Sequence, residues 1–444
     1  MDRVQRIRKR MLTLSATAAM TLAMTVAAQA QEGTTLRVLI NQSPWLDGFI
    51  AMVDAYEEET GTQFDLDVTP FGGMLEKTRN SLRAGEGAYD ILNLNASGMA
   101  EIYAGGFLKP LKEIEPDFSL PESVLTFGNS TYWNAETHSF DPDGTLLSVP
   151  TNGNVQIFYY RKDLYEEAGL KVPETWDDLL ANAKALNDPP NIYGFVPRAA
   201  RDSILYNFTP YLFSNGATFF ADAAKGDFTP TIASKEGLAA LEEYIALGKE
   251  AGPPNPGAIA QAELIQLMAT GKAAQAIAVV AAYSSLTDPN SSIVADKIAT
   301  ALIPAGPGGI HASAAGQWVG GIAKNVPESQ QEAALDFFKW FMEKENQVNY
   351  VLDGGVPVRD DLGDAEEASD PAFAFIPAFS ENAANAQMNM PLVEGTQIKD
   401  AISVHLNRAV IGEITPTEAL NASADDMYKI LTDAGYDVKE PNHL

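Results

Sequence analysis

Short apolar runs that alternate with amphipathic helical spacing predict an α/β chain built on mainly parallel sheets, in more than one domain. Three observations carry this. The stretch from residue 36 to 94 repeats a strand–helix–strand rhythm. The length of 444 residues exceeds what one core ordinarily serves. A composition of 46% hydrophobic and 20% charged residues suits a packed globular protein and not a disordered one.

The elements follow in order. Residues 36–40 read as a buried strand. Residues 47–59 show helical spacing through Phe49, Ile50, Val53 and Tyr56, with Gly61 at the expected C-cap. Residues 62–68 alternate like a half-buried strand, and Phe71-Gly72-Gly73 is expected to turn the chain into a helix over 74–84. A strand over 90–94 completes a βαβαβ unit, which places ligands at the carboxyl ends of its strands. Residues 148–150 and 155–160 are expected strands around a short crossing. Thr175 and Asp178 form a capping box ahead of a helix over 179–186. Residues 328–351 read as one long amphipathic helical region, and Thr415-Pro416 with Glu418 opens a last helix reaching Gly435. Residues 253–256 and 360–370 are expected loops.

Residues 1–30 read as a leader. Arg3, Arg6, Arg8, Lys9 and Arg10 precede a mostly apolar stretch, and Ala28-Gln29-Ala30 has the small-x-small form of a cleavage site. Cleavage near Ala30 would release the chain as an exported protein. A transmembrane anchor competes with this reading, but Thr13, Ser15, Thr17, Thr21 and Thr25 interrupt the stretch. The 59 acidic residues against 30 basic ones give a net charge of −29, which argues against nucleic acid and against an anionic lipid surface. Cysteine is absent, so disulfides, thiolate metal sites and cysteine nucleophiles are excluded together. His138, His311, His405 and His443 are scattered along the chain.

Catalytic motifs are missing. There is no GxSxG elbow, no HExxH helix and no GxGxxG after a strand, and Gly271-Lys272 is followed by Ala273 where a phosphate loop needs Ser or Thr. Asp65 with Asp67, and Asp141 with Asp143, are the carboxylate pairs a glycosidase reading would use. Acids two apart on a strand or in a turn are ordinarily exposed surface groups. Tyr159 and Tyr160 are adjacent on a strand and point to opposite faces, so they cannot clamp one metal ion. The expectation is no enzyme, no cofactor and no metal site.

The order of segments resembles the extracellular solute-binding proteins of sugar-importing ABC transporters, the maltose-binding-protein type, over nearly the whole chain. The residues that carry it include Tyr56–Gly61, Ala88–Leu92 and Gly105–Leu111. Val149-Pro150 with Phe158–Leu170 resembles the family's hinge strand and following helix, and Pro173–Leu179 its PxTWxEL segment. Ser214-Asn215-Gly216, Gly271–Ala274 and Gly320–Ala323 follow in the family's order. Tyr160-Arg161 departs from the usual Tyr-Asn at the entry to a helix.

The resemblance implies a type II periplasmic binding protein of two α/β lobes, each a mainly parallel sheet flanked by helices. The first lobe is expected over 33–151 plus 304–358, the second over 152–303 plus 359–444. The implied role is a monomeric receptor that binds a sugar, oligosaccharide or polyol in the inter-lobe cleft and delivers it to inner-membrane permease subunits. An exported glycoside hydrolase, or a receptor for another small polar solute, is the alternative.

Sugar hydroxyls want amide, carboxylate or guanidinium partners, and sugar CH faces stack on aromatic rings. By place in the family's order, the candidate ligand-binding residues are Trp45, Asn95, Ser97, Asn152, Asn154, Tyr206, Tyr283, Gln317 and Trp318. Asparagine and serine after a strand also serve as turn formers. Trp176 and Trp340 lie in helical patterns and are expected in the core. Arg198 and Arg201 pair either with a ligand or with surface acids.

Overall fold

The computed structural model describes residues 34–96 and 98–444. The expected leader and Ser97 lie outside the described residues. The chain opens with β1 (Thr35–Asn41), α1 (Leu46–Thr60), β2 (Gln63–Thr69), α2 (Phe71–Arg83) and β3 (Ile91–Asn95). α1 stops where Gly61 takes a left-handed conformation with φ of 78°, as its sequence position predicts. The Arg37 guanidinium lies 2.8 Å from the buried Asp90 carboxylate and pins β1 to the start of β3.

The remaining elements that frame the site are β4 (Ser148–Asn152), β5 (Gln156–Arg161), α3 (Ile204–Ser214), α4 (Lys235–Ala251), β6 (Gln275–Val279), β7 (Ile298–Ala301) and β8 (Trp318–Ile322). They are followed by α5 (Glu328–Phe341), α6 (Lys344–Leu352), α7 (Gly395–Val410) and α8 (Pro416–Asp433). The first sheet has the order β2-β1-β3-β8-β4. β1 is parallel to β2 and β3, whereas β8 is antiparallel to both of its neighbours, so four strands share one direction.

The second sheet, β6-β5-β7, differs from the expected parallel arrangement, because β5 is antiparallel to both flanking strands. β5 enters this sheet from the crossing after β4 and runs away from the first sheet, while β6 and β7 bring the chain back. The parallel component there is a bridge from Tyr193 to Ala273 beside β6.

Two aromatic cores follow from these layers. Phe49 and Tyr56 on α1 meet Phe337 on α5 with ring centroids 6.0 and 5.2 Å apart. α5 lies close on β8 because Gly320 has no side chain there: a Cβ would sit 2.4 Å from Phe338 Cζ. Around the second sheet, Trp176 stacks on Tyr211 of α3 at 4.1 Å and donates its indole N–H to Ser214 Oγ at 2.9 Å. Trp176 is therefore a core residue, as expected.

Two elements depart from the sequence reading. Phe71-Gly72-Gly73 forms the first turn of α2, behind Pro70 at the N-cap position, instead of a loop. The long region 328–351 is two helices with extended backbone at Glu343. The break is capped by side chains: Asn346 Nδ2 donates to Trp340 O and Gln347 Nε2 to Phe341 O, each at 2.7 Å. Val358 O accepts from Leu125 N–H, and Asp360 N–H donates to Ser123 O, so the chain is still held against the first sheet's side at Asp360. No helix among the described residues is long and apolar enough to cross a membrane.

Candidate functional site

The carboxyl ends of β1 and β3 face the second sheet across a cavity of about 300 Å³. One wall consists of Asn41 at the end of β1 with Gln42 and Ser43 after it, Phe71 at the head of α2, Asn95 at the end of β3, and Trp318 opening β8. The opposite wall carries Arg198, Asp202, Ser203 and Tyr206 around the start of α3, Gln261, Asn389, and Lys399 on α7. Asn154, between β4 and β5, lies at the crossing that joins the two halves.

Local chemistry places each of these groups. Trp318 is paired in register with Asn95 on β3, and its ring sits 6.2 Å from Trp45 and 6.0 Å from Phe71. Asn154 is held on three sides: its N–H donates to Asn152 Oδ1 at 3.0 Å, its carbonyl accepts from Gly316 N–H at 2.9 Å, and its Oδ1 accepts from Ala281 N–H at 3.3 Å. Gly316 is required by the same packing, since a Cβ would fall 2.3 Å from the Tyr206 hydroxyl. That hydroxyl donates to Ala314 O at 3.2 Å, and burial pushes its pKa well up.

Arg198 is set by buried polar groups behind it. Its backbone N–H donates to Asn207 Oδ1 at 3.1 Å, and its carbonyl accepts from the Tyr244 hydroxyl at 2.9 Å. Asn207 in turn donates to Gln156 Oε1 and Ile277 O, on β5 and β6. The guanidinium lies over the Tyr206 ring, 5.5 Å from its centroid. Burial lowers the pKa of Arg198, and burial together with the Arg198 charge lowers that of Lys399.

The structure gathers Asn95, Asn154, Tyr206 and Trp318 around this cavity. Trp45 is placed elsewhere: it is fully buried behind Trp318 and edge-on to Phe49. Its position at the start of α1 turns the ring into the core instead of the opening. Asn152 and Gln317 are likewise buried behind the wall. Asn152 caps the Asn154 N–H, and Gln317 Nε2 reaches Met388 Sδ at 3.4 Å.

Tyr283 does not face this cavity. It lines a second hollow, about 530 Å³, between the end of α6 and the turn after β6, where its hydroxyl donates to Pro371 O at 2.9 Å. The smaller cavity is the candidate site because strand ends converge on it and because it holds buried polar atoms without partners. These are Asn41 Oδ1 and Arg198 Nε. Arg201 is exposed and absent from the lining.

Phe71 and Lys399 line the cavity without a local sequence signal that marks them. Phe71 sat in an expected turn, and a lysine on an amphipathic helix reads as a solvated face. The acid pairs raised by a hydrolase reading lie elsewhere. Asp67 is bound by Lys77 at 2.8 Å, and Asp141 accepts the Asp143 N–H inside a turn. Both carboxyls are held below their ordinary pKa, Asp67 chiefly by Lys77 and Asp141 chiefly by the Asn134 amide and then by the Asp143 N–H, opposite to the shift a general acid needs.

A family model described as bacterial extracellular solute-binding protein matches residues 42–348. The "Probable amino-acid ABC transporter periplasmic-binding protein y4oP" of Sinorhizobium fredii is 24% identical over 420 residues, 91% of each chain. The mannitol-binding protein of Pseudomonas aeruginosa is 28% identical over 263 residues, 57% of this chain and 56% of its own. Among solved structures, a ribitol complex of an ABC transporter solute-binding protein from Agrobacterium radiobacter shares the fold. Its TM-score is 0.77 at 22% identity, covering 90% of this chain and 99% of its own. The cleft, the alternating halves around it and the match across residues 42–348 agree, and the chain belongs to the bacterial extracellular solute-binding protein family.

Proposed function

We propose that this protein is a periplasmic receptor of an ABC importer that captures a small sugar or polyol in the cavity between its lobes. It is exported by the leader, cleaved near Ala30, and works as a monomer that closes on its ligand and presents it to inner-membrane permease subunits. The chain crosses between the lobes first at Asn154 and last after Asp360, which still hydrogen-bonds Ser123 of the first half.

The observation that carries this reading is the composition of the cavity wall. Trp318 and Tyr206 offer aromatic surface for CH groups, and Asn41, Asn95 and Asn154 offer amides for hydroxyls. The relatives' names point the same way, with mannitol and ribitol among their ligands. Of the nine candidates, Asn95, Asn154, Tyr206 and Trp318 are proposed as direct contacts, with Trp45, Asn152 and Gln317 supporting them from behind. A volume of about 300 Å³ is at the small end for ligand pockets and favours a monosaccharide or polyol over an oligosaccharide.

The receptor binds without turnover. Asp202 is the single carboxylate among the lining residues, whereas glycoside hydrolysis ordinarily uses two facing carboxyls. Thermal unfolding and calorimetry over a panel of polyols, monosaccharides and maltose test the proposal. A true ligand at about 100 times its Kd stabilises the protein by about 2.7 kcal/mol. No melting shift with any member, or release of product from a chromogenic glycoside, would contradict it.

A further inference from the structure

The cavity wall runs against the charge of the whole protein. The chain has 59 acidic and 30 basic residues, yet the lining holds two cations, Arg198 and Lys399, and one carboxylate, Asp202. Among the described residues, neither Arg198 nor Lys399 has a carboxylate within salt-bridge distance, whereas the partly buried Arg37, Arg161 and Arg359 each have one. Asp202 is exposed at the rim and accepts a hydrogen bond from Ser203 Oγ at 2.7 Å.

Asp202 attracts both cations and Asp400 attracts Lys399 from beyond salt-bridge distance, and the side chains facing the two charged groups at close range are aromatic. The guanidinium lies over Tyr206 and the Lys399 ammonium 5.4 Å from the centroid of Phe71. Such faces attract a cation but do not neutralise it. Half-burying two like charges together, with Arg198 Nε unpartnered, is unfavourable in the empty protein. A bound anion offsets that cost. Opposite them, the buried Asn41 has an unpartnered carbonyl oxygen, which accepts hydrogen bonds from hydroxyls and repels an anion. The cavity thus has an acid-binding side on α7 and the start of α3, and a hydroxyl-binding side at the end of β1.

Building on the receptor reading above, we propose that the ligand is an anionic polyhydroxy compound, a sugar or polyol bearing one acidic group held between Arg198 and Lys399. Carboxylate, phosphate and sulfonate groups share the needed chemistry. Arg198 presents a planar fork to paired oxygens and Lys399 a point charge.

Calorimetry on the purified full-length mature protein with two matched series decides this: mannitol, mannonate and mannitol 1-phosphate, then ribitol, ribonate and ribitol 5-phosphate. The expected result is that at least one acid binds roughly tenfold or more tighter than its neutral parent. The carboxylate and phosphate arms separate the two group types. In Lys399→Met and Arg198→Gln the acid-to-neutral affinity ratio should fall about tenfold, with Lys399→Arg retaining most of it and circular dichroism confirming the fold. Neutral parents bound as tightly as the acids, or a ratio unmoved in both variants, would overturn the inference and leave the receptor reading intact. Binding of none of the six would count against the receptor reading and this inference together.

Discussion

The Lys399 ammonium stands 5.4 Å from the centroid of the Phe71 ring, and the two residues belong to α7 and α2, on opposite walls of the cavity. This contact joins the two walls at the cavity itself. Phe71 is 48% exposed, so its ring contributes little to either core. Phe71→Ala is expected to weaken ligand binding about two- to fivefold, the range of an exposed cation–π contact. The ligand-free melting temperature should change by less than about 1 °C.

Removing Lys399 should have the opposite effect on the empty protein. Its ammonium is half-buried beside another cation, and its pKa lies below the ordinary lysine value because burial and Arg198 disfavour the charge. The unfolded chain therefore binds this proton more readily than the folded one, so the group costs stability at neutral pH and less as pH rises. Lys399→Met is expected to raise the ligand-free melting temperature by about 1–2 °C. Scanning calorimetry of both proteins at pH 7 checks it.

Trp318 combines two roles. Its ring lines the cavity yet is only 5% exposed, wedged between Trp45 and Phe71. A ring serving the ligand alone would leave the empty protein's stability unchanged on truncation. The observed packing predicts that Trp318→Ala costs roughly 3–5 kcal/mol of stability and weakens binding as well. Unchanged melting with lost affinity would show that the Trp45 contact contributes nothing.

Gly316 sets the position of Tyr206. A methyl group at Gly316 would meet the Tyr206 hydroxyl at 2.3 Å, so Gly316→Ala must displace that ring or the strand beside it. A destabilisation of about 1–3 kcal/mol is expected, together with loss of binding. Adding Tyr206→Ala should recover part of the stability, since the two substitutions share one contact. Equal melting temperatures for the single and double variants would refute this coupling.

The acid limb of stability follows from three ion pairs. Lys77, Arg161 and Arg359 hold the carboxyls of Asp67, Asp163 and Asp361 below the ordinary 3.8. A depressed folded-state pKa gives stability that is complete above the unfolded value and lost as pH falls through the folded one. The melting temperature should therefore drop below about pH 4. Asp163→Asn should fall less steeply between pH 5 and 2.5 than the parent.

Much of the fold was legible because local signals agreed with it. The Gly61 cap, the capping boxes at Thr175 and Thr415 and the β1–α1–β2 rhythm appear where the sequence places them. The break after Phe341 was hidden, because it depends on Asn346 and Gln347 reaching back to helix carbonyls, which periodicity does not register. The direction of β5 was hidden too, since strand patterns do not encode their neighbours' sense. Asn95, Asn154, Tyr206 and Trp318, named from their place in the family's segment order, line the cavity. Trp45 was misplaced because one residue more or less at a helix start decides whether a ring faces the opening or the core. Lys399 needed tertiary structure, because only packing of α7 across the cleft separates it from an ordinary surface lysine.

The most direct test of the central claim is a crystal structure of the protein with the tightest-binding solute from the polyol and sugar panel. Density for that solute is expected between Trp318 and Tyr206, with hydroxyls at Asn41 and any acidic group at Arg198 and Lys399. A solute seated instead in the hollow beside Tyr283, with the cavity between the lobes holding only water, would contradict it.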